Sequence, residues 1–205
     1  MRVAVIDSGV FPAHSHILSA CLLRGVAIAA DGSIDDSPDA MIDRLGHGTA
    51  VTAAIQELAP DAEILTVRVF REGLRASARA LVEAIVWAAG AGADVINCSL
   101  GTPNAAHAAL FADAVARAGV ARIVAPMVGA DEAPCWPGQC DGVVRVGLDW
   151  DLPRGVAQMR GGLYYASGYP RPIPGVEQRR NLHGISFATA QISGLIAAGR
   201  LTLPA

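Results

Sequence analysis

The chain has 205 residues, 52% hydrophobic and 17% charged, which excludes a disordered chain and allows one full core. Its net charge of −3 comes with no basic run, which excludes a nucleic-acid surface. All sixteen basic residues are arginine, so a Ser–Lys dyad, a lysine Schiff base and a P-loop lysine are excluded too.

In chain order, residues 2–6 are nearly all apolar, as expected of a parallel strand buried on both faces. The run ends at Asp7, an acidic residue at the strand end where open α/β sheets place functional groups. Residues 11–24 read as a loop with a His14-x-His16 pair, and residues 25–29 as a short strand. Residues 31–43 are acidic and polar, hence an exposed loop. Gly46-His47-Gly48-Thr49 then runs into a helix carrying Val51, Ala54, Ile55 and Leu58 inward.

Residues 63–70 are a strand and 77–89 a helix. Residues 93–101 are a strand with a glycine exit, 104–118 a helix, and 122–129 and 142–147 further strands. This strand–helix rhythm predicts a parallel, doubly wound sheet with right-handed crossovers. Residues 148–182, rich in Gly, Pro and Arg, read as mostly irregular. The last helix carries Ile185, Ala188, Ile192, Leu195 and Ile196 at three- and four-residue steps, with Ser186 in its first turn. There unpaired N–H groups and the positive dipole end favour negative charge. No repeat, linker or second domain is visible, so residues 1–205 read as a single domain.

Only four apolar residues separate Arg2 from Asp7, too short for a signal-peptide core, and no apolar run approaches a membrane span. The expected location is the cytoplasm, with no membrane partner. Four cysteines do not make a disulfide scaffold at this length. Cys21 and Cys98 read as reduced core residues. Cys135 and Cys140 flank Trp-Pro-Gly-Gln and can close a small loop, with a reduced pair the default; two further zinc ligands are lacking nearby.

Asp7, His47 and Ser186 supply the three groups acyl transfer needs: a serine attacks, an imidazole carries its proton, and a carboxylate orients the ring. The boxes around them resemble those of subtilisin-like (S8) serine proteases. Val5-Ile6-Asp7-Ser8-Gly9-Val10 resembles the aspartate box, Gly46-His47-Gly48-Thr49 the histidine box, and Gly184-Ile185-Ser186-Phe187-Ala188-Thr189 the serine box. The likeness runs from about residue 2 to about residue 200 and implies an α/β, subtilisin-like three-layer fold with a mostly parallel doubly wound sheet. It implies Asp7, His47 and Ser186 as the triad. Ser99, Leu100 and Gly101 would pair with an extended peptide by strand addition. The expected partner is a peptide or protein substrate; no cofactor and no metal are implied, and calcium is not carried over.

The departures concern the oxyanion hole. Where the family has an asparagine donor, this chain has Ala130 or Asp131, and Ile185 stands where the family has threonine. One missing donor of this kind costs about 2.7–4 kcal/mol of transition-state stabilisation, a value that comes from subtilisin itself. Ala190-Gln191 replaces Pro-His, read as a packing change. The expectation is a processing endopeptidase directed at one peptide bond. Its alternatives are a catalytically weak or inactive peptide-binding module and an acyltransferase using the same acyl-enzyme. A zinc hydrolase has no H-E-x-x-H pattern to support it.

Overall fold

The first apolar run becomes strand β1 (Arg2–Asp7), buried from Val3 to Asp7. Its alternate side chains face different layers. Ala4 and Ile6 pack with Leu81, Ile85 and Phe111, whereas Val3 and Val5 pack with Val51, Ile55 and Phe187. A strand without a polar face must be covered on both sides. That requirement sets the architecture of this computed structural model, which describes residues 1–129 and 132–203.

The remaining elements are β2 (Val26–Ile28), β3 (Ile34–Asp35), α1 (His47–Leu58), β4 (Glu63–Arg68), α2 (Ala78–Gly90) and β5 (Val95–Cys98). They continue with α3 (Ala108–Ala118), β6 (Arg122–Pro126), β7 (Val144–Leu148), β8 (Ala157–Arg160), β9 (Leu163–Ala166) and α4 (Ile185–Ala197). The sheet order is β3-β2-β4-β1-β5-β6-β7-β9-β8. From β2 through β9 the pairing is parallel, while β3 and β8 close the two edges antiparallel. Helices α2 and α3 cover one face, α1 and α4 the other. The expected three-layer, mostly parallel α/β fold is present.

Helix α4 is buried without a break from Phe187 to Ile196, so its apolar pattern runs all round and not along one stripe. Two stretches differ from the sequence reading. Residues 148–182 are not simply irregular, because β8 and β9 form a hairpin whose second strand extends the parallel sheet beside β7. Its turn is Gly161-Gly162, with φ of 57° and 83°, the left-handed pair that a tight two-residue hairpin needs. Residues 31–43 are largely exposed, but Asp43 is buried for a reason found at the start of α1.

Candidate active site

Asp7 ends β1 and Cys98 ends β5, paired in register beside it through Ile6. Chain segments after both strands therefore emerge at the same edge, beside the point where the winding turns from β4 outward to β5, β6 and β7. Open α/β sheets form their crevices at such a place.

The start of α1 is held by its neighbours because its N-cap, Gly46, has no side chain to offer. Asp43 does the capping. Its Oδ1 accepts from the Leu45 and Gly46 N–H groups at 2.8 and 2.9 Å, and its Oδ2 from the Thr49 N–H and hydroxyl at 2.9 and 2.6 Å. Burial opposes its charge, but the bonds from Thr49, Leu45 and Gly46 outweigh this and hold the carboxyl below its usual range. Ser8 Oγ accepts the Gly48 N–H at 2.8 Å. A Cβ on Gly48 would overlap the Gly9 carbonyl oxygen, so the second glycine of Gly-His-Gly-Thr is required for α1 to approach the end of β1.

This approach brings His47 Nδ1 to 2.8 Å from Asp7 Oδ1, which also accepts the Ser8 N–H at 2.7 Å. The Asp7 side chain is 1% exposed and that of His47 12%. The Asp7 oxygen is the acceptor of this pair, so the neutral ring carries its proton on Nδ1 and leaves the Nε2 lone pair free. Burial of the ring opposes protonation. The Asp7 hydrogen bond and the charges of Asp7 and Asp43 together outweigh it, so the His47 pKa lies above its ordinary 6.5. The Phe187 ring, centred 5.7 Å away, backs the imidazole.

Ser186 is the second residue of α4. With His47 it lines a cleft of about 510 Å³, walled by Ser99, Leu100 and Gly101 and by Phe70, Leu74 and Leu81. The structure thus brings together Asp7, His47, Ser186 and the Ser99–Gly101 segment. The Ser186 hydroxyl donates to the Ser99 carbonyl at 2.9 Å, and among the described residues no hydrogen bond links it to His47. To donate to the imidazole the Ser186 hydroxyl must leave the Ser99 carbonyl, the kind of adjustment resting sites leave until a substrate binds. Ala130 and Asp131 lie outside the described residues.

Several side-chain positioning roles are visible only in the fold. Ser99 Oγ donates to the Ser186 carbonyl at 3.0 Å and accepts from Asn97 Nδ2 at 2.8 Å, while Asn97 Oδ1 accepts from Ser193 Oγ at 2.9 Å. This chain latches the end of β5 to α4. Its one readable signal was an asparagine inside an otherwise apolar strand. Gln191 does more than pack: its amide donates to the Ser167 and Tyr169 carbonyls at 2.7 and 3.1 Å, and its oxygen accepts the Gly155 N–H at 2.7 Å. It ties the segments flanking the β8–β9 hairpin to α4.

Among the described residues no three His, Cys, Asp or Glu side chains gather as a metal site, and no helix is long and apolar enough to cross a membrane.

The fold is shared with solved proteases. A lanthipeptide protease superposes with a TM-score of 0.71 at 21% identity, over 97% of this chain and 72% of that one. The nisin leader peptidase of Lactococcus lactis superposes with a TM-score of 0.73 at 19% identity, over 97% and 76%. In sequence, the chain is 25% identical to subtilisin DY of Bacillus licheniformis over 223 aligned positions, covering 96% of this chain and 75% of that protein. The model of the subtilase family (peptidase S8) matches residues 1–147, and with these boxes in place the chain belongs to that family of serine peptidases.

Proposed function

We propose that this chain is a dedicated peptide-processing endopeptidase, with residues 1–205 forming one catalytic domain and Asp7, His47 and Ser186 its triad. The observation that carries the reading is the 2.8 Å Asp7–His47 pair opening onto the cleft that holds Ser186. An extended peptide pairs along Ser99–Gly101 by strand addition. Its N–H groups compete for the Ser99 carbonyl and release the Ser186 hydroxyl toward His47. Ser186 Oγ then attacks the peptide carbonyl carbon while His47 Nε2 takes its proton. The imidazolium, stabilised by Asp7, hands that proton to the leaving amine as the C–N bond breaks. Water, deprotonated by the same Nε2, hydrolyses the acyl-enzyme.

The Ser186 N–H, in the first turn of α4, is one of the donors a helix start leaves for an oxyanion. Ile185 adds no hydroxyl, and neither Ala130 nor ionised Asp131 supplies an asparagine-like donor. A side-chain donor is worth about 10²–10³ in kcat, on figures measured in subtilisin. A site without it suits one favoured bond better than general digestion. The leader-processing role of the nisin peptidase supports the same substrate class. Cytoplasmic residence is part of the proposal, and the free thiols of Cys21, Cys98 and Cys140 suit a reducing compartment.

Mapping the cuts made in a mixed peptide library by mass spectrometry tests this. One or a few related sequences are cut, and none by Ser186→Ala. Cutting at many unrelated bonds would overturn the dedicated role. No cutting at all, with equal peptide affinity in wild type and Ser186→Ala, would make the chain a binding module.

A further inference from the structure

A second concavity, of about 430 Å³, begins one residue before His47. Arg44, Leu45 and Gly46 form one wall, and Asn181 and Leu182, just upstream of Ser186, form another. It shares no lining residue with the cleft that holds Ser99–Gly101, and two of its walls run on in the chain into His47 and Ser186, so it flanks the reacting pair. Its rim carries four large apolar side chains open to solvent: Phe11, Leu45, Ile173 and Leu182, each 37–48% exposed.

Charge distinguishes this pocket. Most arginines that meet a carboxylate do so plainly, as in Arg2–Glu63, Arg145–Asp141 and Arg160–Asp149. Arg44 and Arg171, both lining the pocket, make no ion pair among the described residues. Arg171 spends one N–H on the His16 carbonyl at 3.2 Å. The one carboxylate in the lining, Asp43, has both oxygens committed to the start of α1. Burial and the neighbouring Arg171 and His14 hold the His16 ring below its usual pKa, so the fixed positive charge of the pocket is that of the two guanidinium groups. Both are fixed charges that present forked donors suited to a carboxylate.

We propose that this pocket takes an acidic side chain of the substrate, one to three residues after the cut bond, and so makes the enzyme selective for glutamate or aspartate on the leaving-group side. This rests on the proteolytic reading above. Three residues of extended chain span about 10 Å, and the pocket wall at Gly46 is the chain neighbour of His47. The apolar rim holds the stem of the side chain and neighbouring residues, while Arg44 and Arg171 meet its carboxylate.

The test uses ten-residue internally quenched peptides of one sequence, with Glu, Gln or Lys in the three positions after the mapped cut. The same set is measured for affinity to Ser186→Ala protein. Wild type is expected to favour Glu over Lys by about ten-fold or more in kcat/KM at one position, the preference narrowing in high salt as an exposed charge contact should. Arg44→Glu, at an exposed residue without side-chain hydrogen bonds among the described residues, is expected to reverse the order, and Arg44→Glu with Arg171→Gln to reverse it further. Melting curves of each variant confirm folding. Equal kcat/KM for Glu, Gln and Lys overturns the inference and leaves proteolysis standing. If no peptide is cut, proteolysis fails, and affinity decides: tighter binding of the Glu peptide, reversed by Arg44→Glu, supports the pocket, and equal affinity overturns it.

Discussion

Ser186→Ala is expected to lower kcat by about 10⁶-fold while the protein stays folded. The size is what removing the nucleophile costs in subtilisin and is taken over as a family value. The fold should survive because the hydroxyl makes one hydrogen bond, to the Ser99 carbonyl, worth about 0.5–1.5 kcal/mol. The Ser99 Oγ bond that holds this turn reaches the Ser186 backbone and persists in the variant. His47→Ala should cost as much, and the double variant no more than either alone, because nucleophile and base act as one unit. Steady-state kinetics on a mapped peptide, with a melting curve for each variant, checks this. Losses that add would mean that the two residues do not share a step.

Asp7→Asn is expected to lower kcat by about 10⁴-fold near neutral pH and to change the pH profile. In wild type, kcat/KM rises with pH as His47 loses its proton, at a pH above 6.5, because its pKa is raised. Asparagine removes both contributions of Asp7 and leaves burial, the largest cause, which pulls the pKa down against the charge of Asp43 alone. It also loses the ionised partner that keeps the ring proton on Nδ1. Asp7 Oδ2 is buried and accepts no hydrogen bond among the described residues, so no existing bond is ready to hold that side of the asparagine amide. Stability moves oppositely to activity in wild type. The protonated ring is favoured by folding, so its contribution is full below about pH 6.5, the unfolded value. It is lost as pH rises through the higher folded pKa. A wild-type profile midpoint at or below 6.5 would contradict this electrostatic account.

Legibility in the sequence followed how local each cause was. Asp7 could be placed because a strand buried on both faces has a continuous apolar run, and its end is visible. His47 and Ser186 could be placed because glycines mark the starts of their helices. Asp43 was hidden in an acidic stretch that reads as solvated, since its capping role depends on the backbone turn that follows it. Asn97 and Gln191 were hidden because their partners are far away in sequence: Ser193 is 96 residues from Asn97, and Gly155 is 36 from Gln191. The β8–β9 hairpin has one local signal, Gly161-Gly162 before the apolar Leu163–Ala166 run, but the mixed Ala-Gln-Met-Arg strand before it and the surrounding Pro, Gly and Arg content mask it. The cationic pocket is not legible in the sequence because its walls come from three separated segments, near residues 11–16, 43–53 and 170–182, which only the fold brings together.

The central claim is that Ser186 is a nucleophile activated by the Asp7–His47 pair. Covalent trapping with a serine-directed peptidyl phosphonate, followed by peptide mapping, tests it most directly. The account predicts one phosphonyl adduct, at Ser186, forming rapidly in wild type, strongly slowed in Asp7→Asn and His47→Ala, and absent from urea-unfolded protein. A folded wild-type protein that gains no adduct at Ser186, or gains one equally fast without His47, would contradict it.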